Sequence, residues 1–282
     1  MSEPIVVGTD GSDEAAGALD WAAAEAASRE RPLHIVHAVE SWPYKTPLFA
    51  PPDTAERMTR AGRTLLAAAR ERIRERWPDL EITTELVAEE AWQALRAQSE
   101  KAFELVVASR GRGGFSSLML GSTSLRLAGH SAVPVVIVRG GGADRGEVVV
   151  GIDLARQMDP VLDYAFEAAA LHGARLRVVH AWQTFATLIE AGYAVDADQI
   201  EDDLRKEVAA AYQPVRRTHP GVDVADEIVL EHPVTALANA SGSARLLVVG
   251  AHDRRWSAPQ LGSTCHGVIH HAQCPVAVVP AH

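Results

Sequence analysis

Two short stretches of this chain combine glycine with hydroxyl, carboxylate and guanidinium side chains at close spacing. The first is Gly8-Thr9-Asp10-Gly11-Ser12. The second is Ala108-Ser109-Arg110-Gly111-Arg112-Gly113-Gly114, with Gly121-Ser122-Thr123-Ser124 following after nine residues counted from Gly111. The chemistry that such residues supply is anion capture. Glycines let the backbone approach closely and turn its N–H groups inward, while a helix N-terminus adds partial positive charge. Ser122, Thr123 and Ser124 add hydroxyls, and Arg110 and Arg112 lie within reach of a phosphate. Taken alone, Gly111 to Gly114 would equally form a flexible loop, and Ser122 would equally be a helix cap.

No catalytic set accompanies these stretches. The chain contains neither a G-x4-G-K-[ST] P-loop nor a G-x-S-x-G elbow. Asp10 is a lone carboxylate, which is weak ground for hydrolysis. His266, His270 and His271 fall on one expected helix, and the i, i+4 pair His266 and His270 could chelate. No carboxylate completes that set, so a solvated helix face is expected and no metal site is assigned. The arginines between Arg70 and Arg76 alternate with Glu71 and Glu75, which reads as an exposed, salt-bridged helix face rather than a nucleic-acid patch.

The elements that must position these residues follow from periodicity. Strands are expected near 4–9, 33–39, 82–87, 104–108 and 134–138, and helices near 13–29, 53–76, 90–101 and 122–131. Strands such as Val135-Val136-Ile137-Val138 are apolar without alternation, as in a parallel sheet covered on both faces. Alternation of strand and helix with right-handed crossovers gives an α/β, doubly wound sheet. Ligands bind such sheets beyond the carboxyl ends of the strands, where both glycine-containing stretches fall. Ser12 is expected to cap the first helix, with Asp13 and Glu14 favouring its dipole.

The pattern occurs twice. Ile5-Val6-Val7-Gly8-Thr9-Asp10 aligns with Val148-Val149-Val150-Gly151-Ile152-Asp153 at an offset of 143, as does His37-Ala38 with His180-Ala181. Leu120-Gly121-Ser122-Thr123 aligns with Leu261-Gly262-Ser263-Thr264 at 141. The drift is small over the whole half, so the chain is a tandem repeat with domains expected at 1–140 and 146–282, joined by Gly140-Gly141-Gly142-Ala143-Asp144. The shared positions of His37 and His180 suggest a structural role. The second copy diverges at its mouth. Asp153-Leu154-Ala155 replaces Asp-Gly-Ser, and Asp159-Pro160 suggests a later helix start with Asp159 as the cap. Gly250-Ala251-His252-Asp253 places a carboxylate where Gly111 stands in the first copy.

Composition narrows the partners. The net charge is −10, distributed as −3 over residues 1–145 and −7 over 146–282, which disfavours nucleic acid and anionic membranes. No apolar run approaches the roughly 20 residues of a membrane span. Ser2-Glu3-Pro4 leads directly into a strand-like run, so no signal peptide is expected. Cys265 and Cys274, separated by an expected helix, would lie roughly 13 Å apart, too far for a disulfide. A cytoplasmic location is the expectation.

Ala108-Ser109-Arg110-Gly111, nine residues, then Gly121-Ser122 resembles the G-x2-G-x9-G-[ST] nucleotide loop of the universal stress protein family. Val6-Val7-Gly8-Thr9-Asp10-Gly11-Ser12 is similar to that family's opening strand and loop, and His130 to Val138 to its closing helix and strand. The resemblance covers both halves. It implies a five-stranded parallel sheet in the order 3-2-1-4-5 in each, with ATP, with or without Mg2+, between strands one and four. By the same resemblance Asp10 and the backbone near Ala38 line the adenosine. Ala108, Gly111, Gly121, Ser122 and Thr123 hold ribose and phosphates, with Ser124 nearby and Thr9, Gly11, Ser109, Arg110 and Arg112 in the flanking loops. Ala108 departs from the family's glycine. In the second half Asp153, Gly250, Gly262, Ser263 and Thr264 form a weaker equivalent set.

The resemblance further implies that the halves pack through the closing strands Val135–Val138 and Val276–Val279, as family subunits do when they dimerise. A homodimer of whole chains is compatible with it, and a protein partner is not named by the sequence. The expected role is an ATP-binding stress-response regulator that needs no chemistry. The alternatives are a scaffold of the same fold without nucleotide and a slow ATPase.

Overall fold

The continuous apolar runs of the sequence become strands buried on both faces. The computed structural model describes residues 2–39, 53–111, 120–139, 146–182, 197–251 and 261–280. Arg112, Gly113, Gly114, His252 and Asp253 lie outside the described residues. The chain divides into two units, Met1–Gly140 and Gly141–His282.

In the first unit the order is β1 (Ile5–Gly8), α1 (Asp13–Ser28), β2 (Leu33–Ala38), α2 (Thr54–Arg76), β3 (Ile82–Val87), α3 (Ala91–Ser99), β4 (Glu104–Ala108), α4 (Ser122–His130) and β5 (Val135–Val138). The strands are parallel in the order β3-β2-β1-β4-β5. The second unit repeats this with β6 (Glu147–Gly151), α5 (Asp159–Leu171), β7 (Leu176–Ala181), α6 (Ala197–Thr218), β8 (Val224–Val229), α7 (Pro233–Ala240), β9 (Ala244–Gly250), α8 (Ser263–His271) and β10 (Val276–Val279). Its order is β8-β7-β6-β9-β10, again parallel. Winding runs outward from the first strand on one side, then returns to the other. Thus α1 and α2 pack together on one face while α3 and α4 pack together on the other. Each unit is a doubly wound α/β domain. Among the described residues no helix is long and apolar enough to cross a membrane.

Local chemistry sets the helix ends. Ser12 caps α1 by accepting from the Ala15 amide at 3.2 Å, with Asp13 and Glu14 in the first turn. The chain leaves α1 through a left-handed residue, Glu30 at φ 52, with the Arg31 amide bonded to Ala26 O at 2.9 Å. At the same place in the repeat, α5 leaves through Gly173 at φ 57, and the Ala174 amide reaches Ala169 O at 2.9 Å. The α5 cap lies one residue before the expected one. Met158 is the N-cap, and Asp159 and Pro160 both sit in the first turn, where proline forfeits no helical bond.

Two glycines are packing contacts between helix and sheet. A Cβ on Gly8 would lie 2.7 Å from Leu95 Cδ1, and one on Gly151 2.7 Å from Leu237 Cδ1. Leu95 and Leu237 thus drive α3 and α7 onto their central strands in the same way. Along the arginine-rich face of α2 the expected pairing is replaced by a longer-range one. Arg72 forks onto Asp20 of α1, Nε–Oδ1 3.1 Å and Nη2–Oδ2 2.5 Å. That bidentate bond holds the Arg72 guanidinium above its ordinary pKa. Arg76 lies over the Trp77 ring instead.

Candidate functional site

Parallel pairing of β1 with β4 places the two glycine-containing loops of the first unit side by side. Thr9 is buried at the exit of β1, and its hydroxyl accepts the Gly11 amide at 3.2 Å. Gly11, at φ 76, makes a turn that other residues adopt with strain. Asp10 is fixed by that turn, because its Oδ1 accepts both the Ser12 amide at 3.0 Å and the Ser12 hydroxyl at 2.6 Å. The other carboxylate oxygen faces the second loop. A Cβ on Gly111 would come within 2.5 Å of Asp10 Oδ2. Asp10 and Gly111 therefore meet across the mouth of the sheet, 101 positions apart in the sequence.

The start of α4 closes the other side. The Gly121 amide donates to Ser109 O at 2.7 Å, which seats the helix N-terminus on the exit of β4. Gly121 is its N-cap and makes no side-chain cap bond, so Ser122 is the first helical residue and not the cap. The first-turn amides of Ser122, Thr123 and Ser124 consequently have no partner within the helix, an arrangement suited to an anion. The Ser124 hydroxyl is committed elsewhere. It is buried and donates to Ala108 O at 2.7 Å, tying helix to strand. Ala108 itself is buried at the end of β4, and Ala38 ends β2 at a half-buried position. Arg110 is half exposed and stands 3.7 Å from Glu14, a loose pair worth little in water.

The second unit has the same plan with different chemistry. Asp153 Oδ1 accepts the Ala155 amide at 3.1 Å, but its Oδ2 is paired with Arg156 Nε at 2.8 Å. Where Ser12 supplies neutral donors in the first unit, the second supplies a cation. Gly250, Gly262, Ser263 and Thr264 line a cavity of about 680 Å3 beyond the ends of β6, β7 and β9. Its floor includes Ile152, Val161, Val179 and Leu237, all buried. Cys265, the positional counterpart of Ser124, also lines it, and burial pushes its thiol up to about 12.

The paired histidines have the same role in both units. His37 Nδ1–H donates to Thr9 O at 2.7 Å, and His180 Nδ1–H to Ile152 O at 3.1 Å. Each imidazole fixes the chain where it leaves the first strand. The His266 and His270 rings meet at a tilt of 41°, with centroids 4.7 Å apart, on α8. Among the described residues no group of three metal-ligating side chains comes together, and Cys265 and Cys274 are buried thiols outside any disulfide. Sequence reasoning missed Arg156 and the glycine–leucine contacts. The local Asp-x-x-Arg spacing was available as a signal for the first, whereas the second depends on tertiary packing.

Comparison with known proteins agrees with this plan. The profile of the universal stress protein family matches residues 1–139 and again residues 145–280. A universal stress protein of Mycobacterium tuberculosis (strain ATCC 25618 / H37Rv) is 32% identical over 297 residues, covering 99% of each chain. One from Mycolicibacterium smegmatis is 28% identical over 288 residues, covering 98% of this chain and 96% of the relative. In fold, the chain is similar to the crystal structure of a universal stress protein from Archaeoglobus fulgidus DSM 4304, with a TM-score of 0.70, 20% identity and 99% of both chains covered. A duplicated doubly wound sheet, with its loops converging beyond the first and fourth strands, and a family match to both halves lead to one conclusion: this chain belongs to the universal stress protein family, as a tandem pair of its domains.

Proposed function

We propose that this protein is an ATP-binding stress-response regulator in which the first unit holds the nucleotide. The observation that carries this reading is the meeting of Asp10 with Gly111 directly beside the N-terminus of α4, whose N-cap is Gly121. A side chain at position 111 would fill the space against Asp10, and α4 offers first-turn amides to a phosphate. The residues fit the ligand in kind. Asp10 and the Ala38 backbone would border the nucleoside, with the α4 amides and the Ser122 and Thr123 hydroxyls at the phosphates. Arg110 would swing from its loose contact with Glu14 to meet them. Bound ATP would supply a charge that draws these loops together, and regulation would follow from that packing without hydrolysis.

The test is binding on the whole chain. Calorimetry should give one tight ATP per chain, abolished by Gly121→Asp and little changed by Gly262→Asp. A carboxylate beside a phosphate at an intermediate effective dielectric costs a few kcal/mol, about a hundredfold in affinity. Mass analysis of ligand released from purified protein should find adenine nucleotide. A chain that neither retains nor binds ATP would be a scaffold of this fold.

A further inference from the structure

We propose that His266 and His270 on α8 chelate one divalent transition-metal ion of the kind that prefers imidazole nitrogen, Zn2+, Ni2+ or Cu2+. Residues four apart on a helix project from the same face, one turn apart. Here the two rings meet, with centroids 4.7 Å apart at a tilt of 41°. An ion held at about 2.0–2.1 Å by one nitrogen of each ring, with its two bonds between a right angle and a tetrahedral one, puts the ring centres about 4.5–5 Å apart. The observed separation falls in that range, so chelation asks for rotation of the rings about χ2 and for no movement of the helix. One nitrogen of each ring suffices, and the other is left to the hydrogen bond that fixes ring orientation in such sites. Two imidazoles and water fill the coordination sphere without the carboxylate that the sequence does not provide, which makes the site open and exchangeable. Mg2+ and Ca2+ take oxygen ligands and do not compete.

The helix holds the pair still. Val268 and Ile269 are fully buried and set the rotation of α8, which leaves His266 exposed and His270 half-buried. Gly267, between the two histidines, lies so tightly on α7 that a Cβ there would meet Val234 Cγ2 at 2.7 Å. A glycine turn that would be loose in an isolated helix is pinned here by that contact. His270 stands in the last turn of α8, where the terminal carbonyls carry partial negative charge that favours a cation. The repeat also shows that the fold does not ask for these side chains. The same positions of α4 are occupied by Leu125 and Gly129. By contrast, the helix-ending His271 has a counterpart in His130, whose Nδ1–H donates to Arg126 O at 2.7 Å. His271 therefore has a structural parallel in the first unit, and His266 and His270 have none.

The test is calorimetric titration of the full chain, without an affinity tag, with Zn2+. The tightest class of sites should number one per chain and should withstand about a hundredfold excess of Mg2+. His266→Gln and His270→Gln should each weaken that binding by at least about tenfold. The double variant should fall no more than about threefold below either single one, because a chelate fails once one arm is lost. His271→Gln, one residue further along the same turn, should stay within about twofold of the native affinity. The unaltered chain gives a second readout that does not depend on any variant folding. Bound Zn2+ should shield His266 and His270 from diethyl pyrocarbonate, mapped by mass spectrometry, and leave His271 reactive. No Zn2+ binding, binding indifferent to both single glutamines, or equal shielding of His271 would overturn the proposal.

Discussion

Replacing Gly111 by alanine asks how firmly Asp10 is held. The new methyl would start 2.5 Å from Asp10 Oδ2, so the carboxylate must retreat by nearly 1 Å to restore van der Waals contact. It cannot retreat freely, because its Oδ1 is bonded to the amide and hydroxyl of Ser12 at 3.0 and 2.6 Å. Stretching both bonds costs about 1–3 kcal/mol at roughly 1 kcal/mol or more each. Gly111→Ala should therefore lower the unfolding free energy by that amount and weaken ATP by about five- to a hundredfold. Gly121→Ala is the control in the same loop. Its Cβ meets nothing closer than Ser109 O at 3.5 Å and its φ is −75, so the free protein should change by no more than about 0.5 kcal/mol. Urea melts would give both values, and calorimetry the affinities. A double-mutant cycle with Ser12→Ala isolates the cause, since a loosened Asp10 yields more easily to the methyl. Coupling of about 0.5–1 kcal/mol is expected. Equal destabilisation by the two alanines, or strict additivity with Ser12→Ala, would refute the tethered-carboxylate argument.

The left-handed residues after α1 and α5 predict opposite effects: Glu30→Gly should stabilise the fold by about 1 kcal/mol, and Gly173→Ala should destabilise it by a similar amount although its Cβ meets no atom. Thermal melts that move the same way for both would contradict the backbone argument. Gly8→Ala and Gly151→Ala should each cost about 1–3 kcal/mol by driving a methyl into Leu95 or Leu237, and Leu95→Ala in the Gly8→Ala chain should recover part of the loss. Cys265 ionises near pH 9 when unfolded and at about 12 when folded, so between those values the unfolded chain holds fewer protons. Its contribution is full below pH 9 and should decline by about 1.4 kcal/mol per pH unit above it. Cys265→Ala should flatten that part of the urea-midpoint profile, and an unchanged slope would count against the buried thiol.

Secondary structure was legible because burial on both sheet faces writes continuous apolar runs, and because Ser12 and the paired acids mark the start of α1. The duplication was legible in the same letters. A hydroxyl after glycine reads as capping, which left Ser122 open as a cap, yet Gly121 takes that position and Ser124 turns back to Ala108. The contact of Asp10 with Gly111 is set by the β1–β4 pairing and has no local sign. The fork of Arg72 onto Asp20 spans 52 positions, so a reading confined to neighbours along α2 could not supply it. The cavity of the second unit depends on strand ends and on small residues such as Ala155, Ala181 and Gly250, which the loop motif does not mark.

The two histidine ties have a consequence for the turn that follows the first strand of each unit. His37 and His180 each reach a carbonyl through Nδ1, which requires a proton on that nitrogen. Each ring thereby braces the exit of one strand from the end of its neighbour, so the chain beyond the first strand is held from the side as well as along its own length. A side chain that filled the same space without the donor would keep the packing and lose that brace.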